Sequence, residues 1–112
     1  MYYELTKSQK KIARIIMDKG LENHYMKSLK DAQFIISDWS KGKFNDNREA
    51  YMKLYSRVIK NDKHIGHIYN DKGGSRWVEI IALQLADGVI TFEDLRDFED
   101  EVRNTILVWS RI

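Results

Sequence analysis

Apolar residues recur every three or four positions along most of the chain, which is the period of an amphipathic α-helix. The clearest stripe comprises Leu21, Tyr25, Leu29, Ala32, Ile35, Ile36 and Trp39. Glycine-containing breaks interrupt the pattern at Gly20, 42–47, 73–74 and Gly88. The segments between them predict five helices, over about 7–19, 21–40, 47–70, 76–86 and from Thr91 to the last apolar residues.

Capping residues support these bounds. Thr6 and Gln9 form a capping-box pattern before the first helix, and Gly20 suits a left-handed C-terminal cap after it. Further N-terminal caps are predicted at Asp46 with Glu49, at Ser75, and at Thr91 with Asp94.

The apolar positions of each segment define a candidate core. In the first helix they are Leu5, Ile12, Ile15 and Ile16. In 47–70 they are Ala50, Tyr51, Leu54, Tyr55, Val58, Ile65, Ile68 and Tyr69. In the last helix they are Phe92, Leu95, Phe98, Val102, Ile106 and Trp109. Segment 76–86 is apolar in almost every direction, so the pattern predicts an all-α single domain over 1–112, a bundle of about five helices around this central helix.

Composition narrows the class of protein. The 112 residues include no cysteine, which excludes disulfides, thiolate catalysis and cysteine-based zinc sites. The first residues lack an apolar signal core, and the longest apolar stretch, near Ile80, is far shorter than a membrane span. We therefore expect a soluble cytoplasmic domain.

The net charge of +2 hides a segregation of charge along the chain. Residues 1–76 carry 16 basic and 9 acidic groups, whereas 77–112 carry 3 basic and 8 acidic groups. One face of the first helix is basic, with Lys7, Lys10, Lys11 and Arg14. The outer side of the last helix is acidic, with Glu93, Asp94, Asp97, Asp100 and Glu101. Two interpretations stay open: solvated faces, or contact surfaces for an anionic and a basic partner.

Phe34 lies roughly opposite the apolar stripe of its own helix, among Lys27, Lys30 and Lys41. It is either a second packing surface against another helix or an exposed aromatic suited to a protein hot spot or to stacking on a base. The apolar band of the last helix is likewise broadened by Leu107, Val108 and Ile112, which indicates either burial or a homodimer seam.

His64, His67 and Asp71 share one helix face at a spacing seen among metal ligands. Lys53 and Lys60 on the same face would repel a divalent cation, so the sequence predicts no metal site. Lys72-Gly73-Gly74-Ser75-Arg76 offers backbone N–H groups and two cations to a phosphate but lacks the P-loop spacing, which favours an ordinary loop.

A DNA-reading helix-turn-helix is not predicted, because Gly20 follows Ala13 by seven positions and the usual turn glycine follows by four. No catalytic constellation is present in the sequence. The carboxylates near Asp97 share one helix face and do not flank a cleft, so we expect neither enzymatic activity nor a cofactor.

Three segments carry a resemblance: 5–13 (LTKSQKKIA), 46–51 (DNREAY) and 87–91 (DGVIT). They resemble those of small helical bacterial proteins of uncharacterised function. The resemblance implies a bacterial cytoplasmic setting and says nothing about mechanism.

The leading hypothesis is a non-enzymatic protein–protein interaction or regulatory module that binds a protein partner or a second copy of itself. Its candidate contact residues are Phe34, Lys27, Lys30, Asp94, Asp97, Asp100 and Glu101. The alternative is a nucleic-acid accessory protein, using Lys7, Lys10, Lys11 and Arg14 against phosphates.

Overall fold

The computed structural model describes residues 3–70 and 73–112, and within them all regular structure is helical. The α-helices are α1 (Lys7–Ser40), α2 (Asn47–Tyr69), α3 (Trp77–Ala86) and α4 (Asp100–Ser110). Short 3₁₀ turns occupy Gly74–Arg76 and Phe92–Leu95. The all-α prediction is confirmed, but these residues form four α-helices and not five.

The first two predicted helices are one helix, because α1 continues through Gly20. Gly20 is therefore not a C-terminal cap, and its lack of a side chain serves packing instead. A Cβ at this position would come within 2.3 Å of the Gln84 side-chain nitrogen. The left-handed glycine that follows α1 is Gly42, with φ of 73°.

Only one of the two hydrogen bonds of the predicted capping box forms at the N-terminus of α1. Thr6 Oγ1 accepts the backbone N–H of Gln9 at 3.3 Å, as expected. The Gln9 side chain does not return to Thr6. It is buried, and its Oε1 accepts the backbone N–H of Glu99 at 3.1 Å, which ties α1 to the start of α4.

α2 begins where the sequence predicted and runs without interruption to Tyr69. Asp46 Oδ1 accepts the backbone N–H of Glu49 at 2.7 Å, and Glu49 reaches back to the backbone N–H of Asn45. The prediction of one long helix over this segment is confirmed.

The start of α3 was predicted incorrectly. Ser75 lies inside the 3₁₀ turn, and the residue before α3 is Arg76, which makes no side-chain cap bond. The predicted burial is confirmed in part: Val78, Ile80, Ile81, Ala82 and Gln84 are buried. Trp77, Leu83 and Leu85 are only half-buried.

The last helix starts later than predicted. Thr91 and Asp94 do form a capping box, but it opens the 3₁₀ turn Phe92–Leu95, and α4 begins only at Asp100. Because of this break, Phe92 lies at the surface and is 56% exposed, so its predicted place in the core is wrong.

The chain divides into two compact units. The first, here called the terminal unit, comprises residues 1–23 and 68–112, and α3 packs against α4 within it. Its buried apolar residues are Leu5, Ala13, Ile16, Met17, Ile68, Tyr69, Val78, Ile80, Ile81, Ala82, Val89, Ile90, Leu95, Phe98, Val102 and Ile106. Of the predicted core of the first helix, Ile15 is wrong, because it is 72% exposed.

The second unit, His24–His67, is a hairpin of the C-terminal part of α1 and most of α2. All its residues are described, and its buried apolar side chains are only those of Ile35, Ala50 and Ile65. The hairpin therefore lacks most of the core that its apolar stripes predicted.

No helix within residues 3–70 and 73–112 has the length and apolarity needed to cross a membrane.

Candidate interaction surface on the helical hairpin

The seam between the two helices of the hairpin is largely polar. At one end, Trp39 Nε1 donates a 2.8 Å hydrogen bond to Asn47 Oδ1. In the middle, Asp31 accepts Asn61 Nδ2 at 3.1 Å and lies 3.5 Å from the Arg57 guanidinium. These pairings run in opposite directions along the two helices, which makes the hairpin antiparallel.

The other end of the seam carries two histidines. The rings of His24 and His64 meet edge to face with their centroids 5.9 Å apart, and His24 is buried. Apolar packing enters the seam mainly through Ile35 and Ala50. The polar pairs along the seam are exposed or part-buried, so they leave the hairpin with little buried apolar packing.

Most of the large apolar residues of the hairpin are exposed and not buried in the seam. We define the apolar face as Tyr25, Leu29, Ile36 and Trp39 of α1 with Tyr51, Tyr55 and Val58 of α2. Each of the seven is between 48% and 70% exposed. The sequence assigned all seven to the core, and that prediction is wrong for this chain taken alone.

The spacing of these residues explains why they form one surface. In α1, Tyr25, Leu29, Ala32, Ile36 and Trp39 follow one another at alternating steps of four and three residues. In α2, residues 51, 55 and 58 follow the same rule. Steps of four and three place side chains on one side of a helix and are the spacing of coiled-coil contact positions.

Both apolar stripes look out on the same side of the hairpin. Ile36 and Trp39 of α1 and Tyr51 and Leu54 of α2 line a common cavity of about 430 Å³. Of the described residues that line it, Asn47 is the polar one, and its Oδ1 is engaged by Trp39.

Charge is excluded from the α1 part of this face. The charged residues of segment 24–40 are Lys27, Lys30, Asp31 and Asp38. At about 100° per residue they fall within a sector of roughly 100° on the seam and the far side of the helix. The α1 part of the apolar face is therefore uncharged, whereas the α2 stripe ends in a charged residue on each side, Arg48 before Tyr51 and Asp62 after Val58.

Phe34 lies on that charged side of α1 and is 68% exposed. It therefore does not form a second buried packing surface with any part of the chain that the structure describes. Lys27 and Lys30 are exposed near it, so the aromatic has the cationic surroundings that the sequence indicated. A partner contact at Phe34 stays a prediction.

The acidic candidates are only partly available to a partner. Asp94 Oδ1 accepts a 2.6 Å hydrogen bond from Lys19 Nζ, and its other oxygen accepts the backbone N–H of Thr91. These bonds, that from Lys19 foremost, lower the pKa of the Asp94 carboxyl below its ordinary value of 3.8.

The remaining acidic candidates do not all lie on the last helix, because α4 begins only at Asp100. Asp97 lies in the turn before α4, and Asp100 and Glu101 lie in the first turn of α4; all three are exposed. Asp100 is paired with Arg103. The acidic surface thus spans a 3₁₀ turn, a bend and a helix start, and is not one face of a single helix.

The basic face of α1 is likewise only partly available to a partner. Arg14 stacks its guanidinium over the Trp77 ring at 5.3 Å, and Lys10 lies 3.8 Å from Glu4. Lys7 and Lys11 are exposed. Two of the four predicted phosphate contacts are therefore already engaged within the terminal unit.

His64 and His67 are both exposed, and Asp71, the third residue of the histidine pattern, lies outside the described residues. Lys72 of the glycine-containing loop lies outside them as well. Arg76, at the other end of that loop, donates to the Asn70 carbonyl oxygen at 2.9 Å and pairs with Glu79 at 3.3 Å. Its cation is thus directed to neighbouring residues.

The C-terminal seam candidates form a smaller apolar surface. Val108 and Ile112 are exposed and Leu107 is half-buried. Of the fifteen large apolar side chains that are exposed among the described residues, eleven belong to the hairpin unit. The hairpin is therefore the main candidate for an interaction surface.

Sequence reasoning found the residues of the apolar face but missed their role. The available signal was the alternation of four- and three-residue steps together with the absence of charge among these positions. Such a stripe requires a helical neighbour, and the pattern does not say whether the neighbour belongs to the same chain.

Comparison with protein-family models, with curated proteins and with solved structures gives no match for this chain. The resemblance to small helical bacterial proteins stays a prediction, and the functional conclusion depends on the geometry of the hairpin.

Proposed function

We propose that this protein is a non-enzymatic protein–protein interaction module that works in the cytoplasm and docks its partner on the apolar face of the hairpin. The carrying observation is the exposure of that face. Scaling the exposed fractions of its seven residues by typical side-chain areas gives roughly 700 Å². Large contiguous apolar patches on a single chain mark interaction sites.

The composition of the face supports a protein partner. Four of its seven residues are tyrosine or tryptophan, the side chains enriched in the centres of protein interfaces. Charged residues occur at the ends of the α2 stripe, at Arg48 and Asp62, which is where the polar rim of an interface lies. Phe34 lies on the other side of α1 and is not needed by this proposal.

The same features disfavour a catalytic or small-molecule site. A ligand pocket combines an apolar wall with several convergent polar groups that orient the ligand. The cavity at Ile36 and Tyr51 offers Asn47, which is engaged by Trp39. The surface is better suited to excluding water from a large contact than to orienting a substrate.

The proposal is tested by site-specific photo-cross-linking in the cells that make the protein. A benzophenone amino acid replaces Ile36 or Tyr55 on the apolar face and, as a matched control, Ser56, an exposed neighbour on another side of α2. We expect protein adducts from positions 36 and 55 and none from position 56. Equal adducts from all three positions, or none from 36 and 55, would contradict the proposal.

A further inference from the structure

We propose that the partner covering the apolar face is a second copy of this chain, so that two hairpins pack face to face as a four-helix bundle. This inference rests on the function proposed above and names its partner.

The first observation is the size of the face. Each partner in a protein interface of standard size contributes about 800 Å². The roughly 700 Å² of the seven face residues comes close to that area before Ala32 and Leu54 are added. A face of this size is sufficient for a stable dimer without any contribution from the terminal unit.

The second observation is the distribution of charge. The α1 part of the face carries no charge, and the α2 stripe is bounded by Arg48 at one end and Asp62 at the other. Two antiparallel copies of such a stripe bring opposite charges together at both ends, so the face is complementary to itself. The opposite side of α1 differs, because it carries the charged residues Lys27, Lys30 and Asp38, whose desolvation would oppose a large dry contact there. Self-association is therefore directed to the apolar face.

The third observation is the thin core of the hairpin. Its buried apolar side chains are Ile35, Ala50 and Ile65, and its seam is otherwise bonded by polar pairs. Stripes spaced at four and three residues become buried when other helices supply the facing side chains. Two antiparallel hairpins placed face to face supply them reciprocally and form the layered core of a four-helix bundle.

A twofold axis fits this arrangement. In a twofold dimer the same patch is used on both chains, so each side chain of the face has its equivalent on the partner. The cavity bounded by Ile36, Trp39, Tyr51 and Leu54 then receives side chains from the second hairpin, and the reverse contact forms at the same time.

The test measures the mass of the purified protein by sedimentation equilibrium over a range of concentrations. We expect a reversible species of twice the 13.3 kDa chain mass. Leu29→Glu places a charge at the middle of the face, where residue 29 is 70% exposed and contributes little to folding of the single chain. Because a twofold interface receives the charge twice, we expect the dimer dissociation constant to rise by about 100-fold or more.

Phe34→Glu is the matched control, since Phe34 is 68% exposed in the same helix but lies off the face. It is expected to leave the dissociation constant within about threefold of wild type. Circular dichroism of both variants as monomers checks that the helices are retained. A dimer that Phe34→Glu dissociates and Leu29→Glu does not would overturn the assignment of the face.

A wild-type protein that stays monomeric at the highest concentrations overturns the second-copy proposal. The in-cell cross-links then separate this failure from failure of the proposed function. Adducts of positions 36 and 55 with another protein would leave the interaction module standing with a different partner. A monomer without adducts at those positions would contradict both proposals.

Discussion

The side-chain amide of Gln84 in α3 occupies the space beside Gly20 in α1, where any other residue would place its Cβ. A Cβ built on Gly20 would lie 2.3 Å from Gln84 Nε2 and 2.4 Å from Cδ. The amide is held there from both sides, because Nε2 donates to the Met17 carbonyl oxygen and to the Tyr69 hydroxyl, each at 2.9 Å. The close approach of α1 and α3 in the terminal unit thus requires a glycine in the middle of a helix.

Gly20→Ala should therefore destabilise the protein, although glycine-to-alanine changes inside helices normally stabilise by about 1 kcal/mol. Overpacking of a filled core costs about 1–3 kcal/mol, so the net loss after the helix gain is up to about 2 kcal/mol, a fall in melting temperature of up to about 8 °C for a chain of this size. Thermal unfolding followed by circular dichroism measures it. Gly73→Ala is the control, because no atom lies within 4 Å of its Cβ position and its φ of −56° suits alanine. A Gly20→Ala protein that is more stable than wild type by the full helix gain of about 1 kcal/mol would show that Gln84 moves aside freely.

A double-mutant cycle assigns the effect to the pair. In Gln84→Ala the amide is gone, so adding Gly20→Ala to that background should cost less than it does in wild type, by about 1 kcal/mol or more. Chemical denaturation of the four proteins gives the coupling free energy. Strictly additive losses would mean that the helix backbone, and not the Gln84 amide, excludes a side chain at position 20.

This pair also shows what the sequence could and could not predict. A glycine between two helical stripes matches a C-terminal cap as well as it matches a close contact, and the deciding atom, the Gln84 amide, lies 64 positions further along the chain. Some contacts between residues close together in the sequence were predicted correctly. Asp46 with Glu49, and Thr91 with Asp94, form their predicted caps, because these bonds join residues three apart.

The prediction that the residues of the apolar face belong to the core was wrong for a different reason. Periodicity correctly placed Tyr25, Leu29 and Ile36 on one side of a helix, and it equated that side with the core of the single chain. A buried stripe and a stripe that awaits a partner have the same sequence pattern, since both exclude water from the same kind of side chain. Only the observed exposure of these residues separates the two cases.

The Lys19–Asp94 pair makes a prediction about pH. Because the pKa of the folded Asp94 carboxyl lies below its ordinary value of 3.8, the unfolded chain binds more protons between the two pKa values. The contribution of this carboxylate to stability is therefore complete above the ordinary value and is lost as the pH falls through the folded pKa. Asp94→Asn removes the charge, and the loss should be about 1 kcal/mol near pH 7, discounted for the exposure of Lys19.

Urea unfolding of wild type and Asp94→Asn from about pH 7 down to about pH 2 provides the comparison. The two stability curves should converge at acid pH, where wild-type Asp94 is protonated as well. Lys19→Met should weaken the same pH dependence by removing the main cause of the lowered pKa. A stability difference that stays constant down to the lowest pH would show that the charge of Asp94 makes no contribution.

The nucleic-acid alternative makes a prediction about salt. Arg14 is stacked on Trp77 and Lys10 is near Glu4, so Lys7 and Lys11 are the members of the basic face that face solvent without those contacts. Two phosphate contacts give a slope of log K against log salt concentration of about −1.8 for duplex DNA. Fluorescence anisotropy with a labelled duplex measures it, and Lys7→Glu with Lys11→Glu should abolish the binding. A slope near −3.6, about that of four contacts, would instead restore the whole basic face as a binding site.

Phe34 and Ile35 are neighbours in α1 with opposite environments, and they make the sharpest test of the hairpin. Ile35 is 4% exposed within the seam, and Phe34 is 68% exposed on the charged side. Ile35→Ala should cost about 2–5 kcal/mol, because the seam has few other apolar contacts to close the cavity. Phe34→Ala should change stability by less than about 0.5 kcal/mol, as expected for a side chain that packs on little of the chain.

Hydrogen exchange of the backbone amides of the hairpin measures the opening free energy in both variants, and it distinguishes local from global opening. Ile35→Ala should speed exchange throughout segment 24–67, whereas Phe34→Ala should leave it unchanged. If Phe34→Ala proves as destabilising as Ile35→Ala, the charged side of α1 is buried in solution, and the hairpin then meets its partner through that side. If Ile35→Ala has little effect, the polar seam and the contacts of the apolar face hold the two helices together, since the apolar packing at residue 35 would then be dispensable.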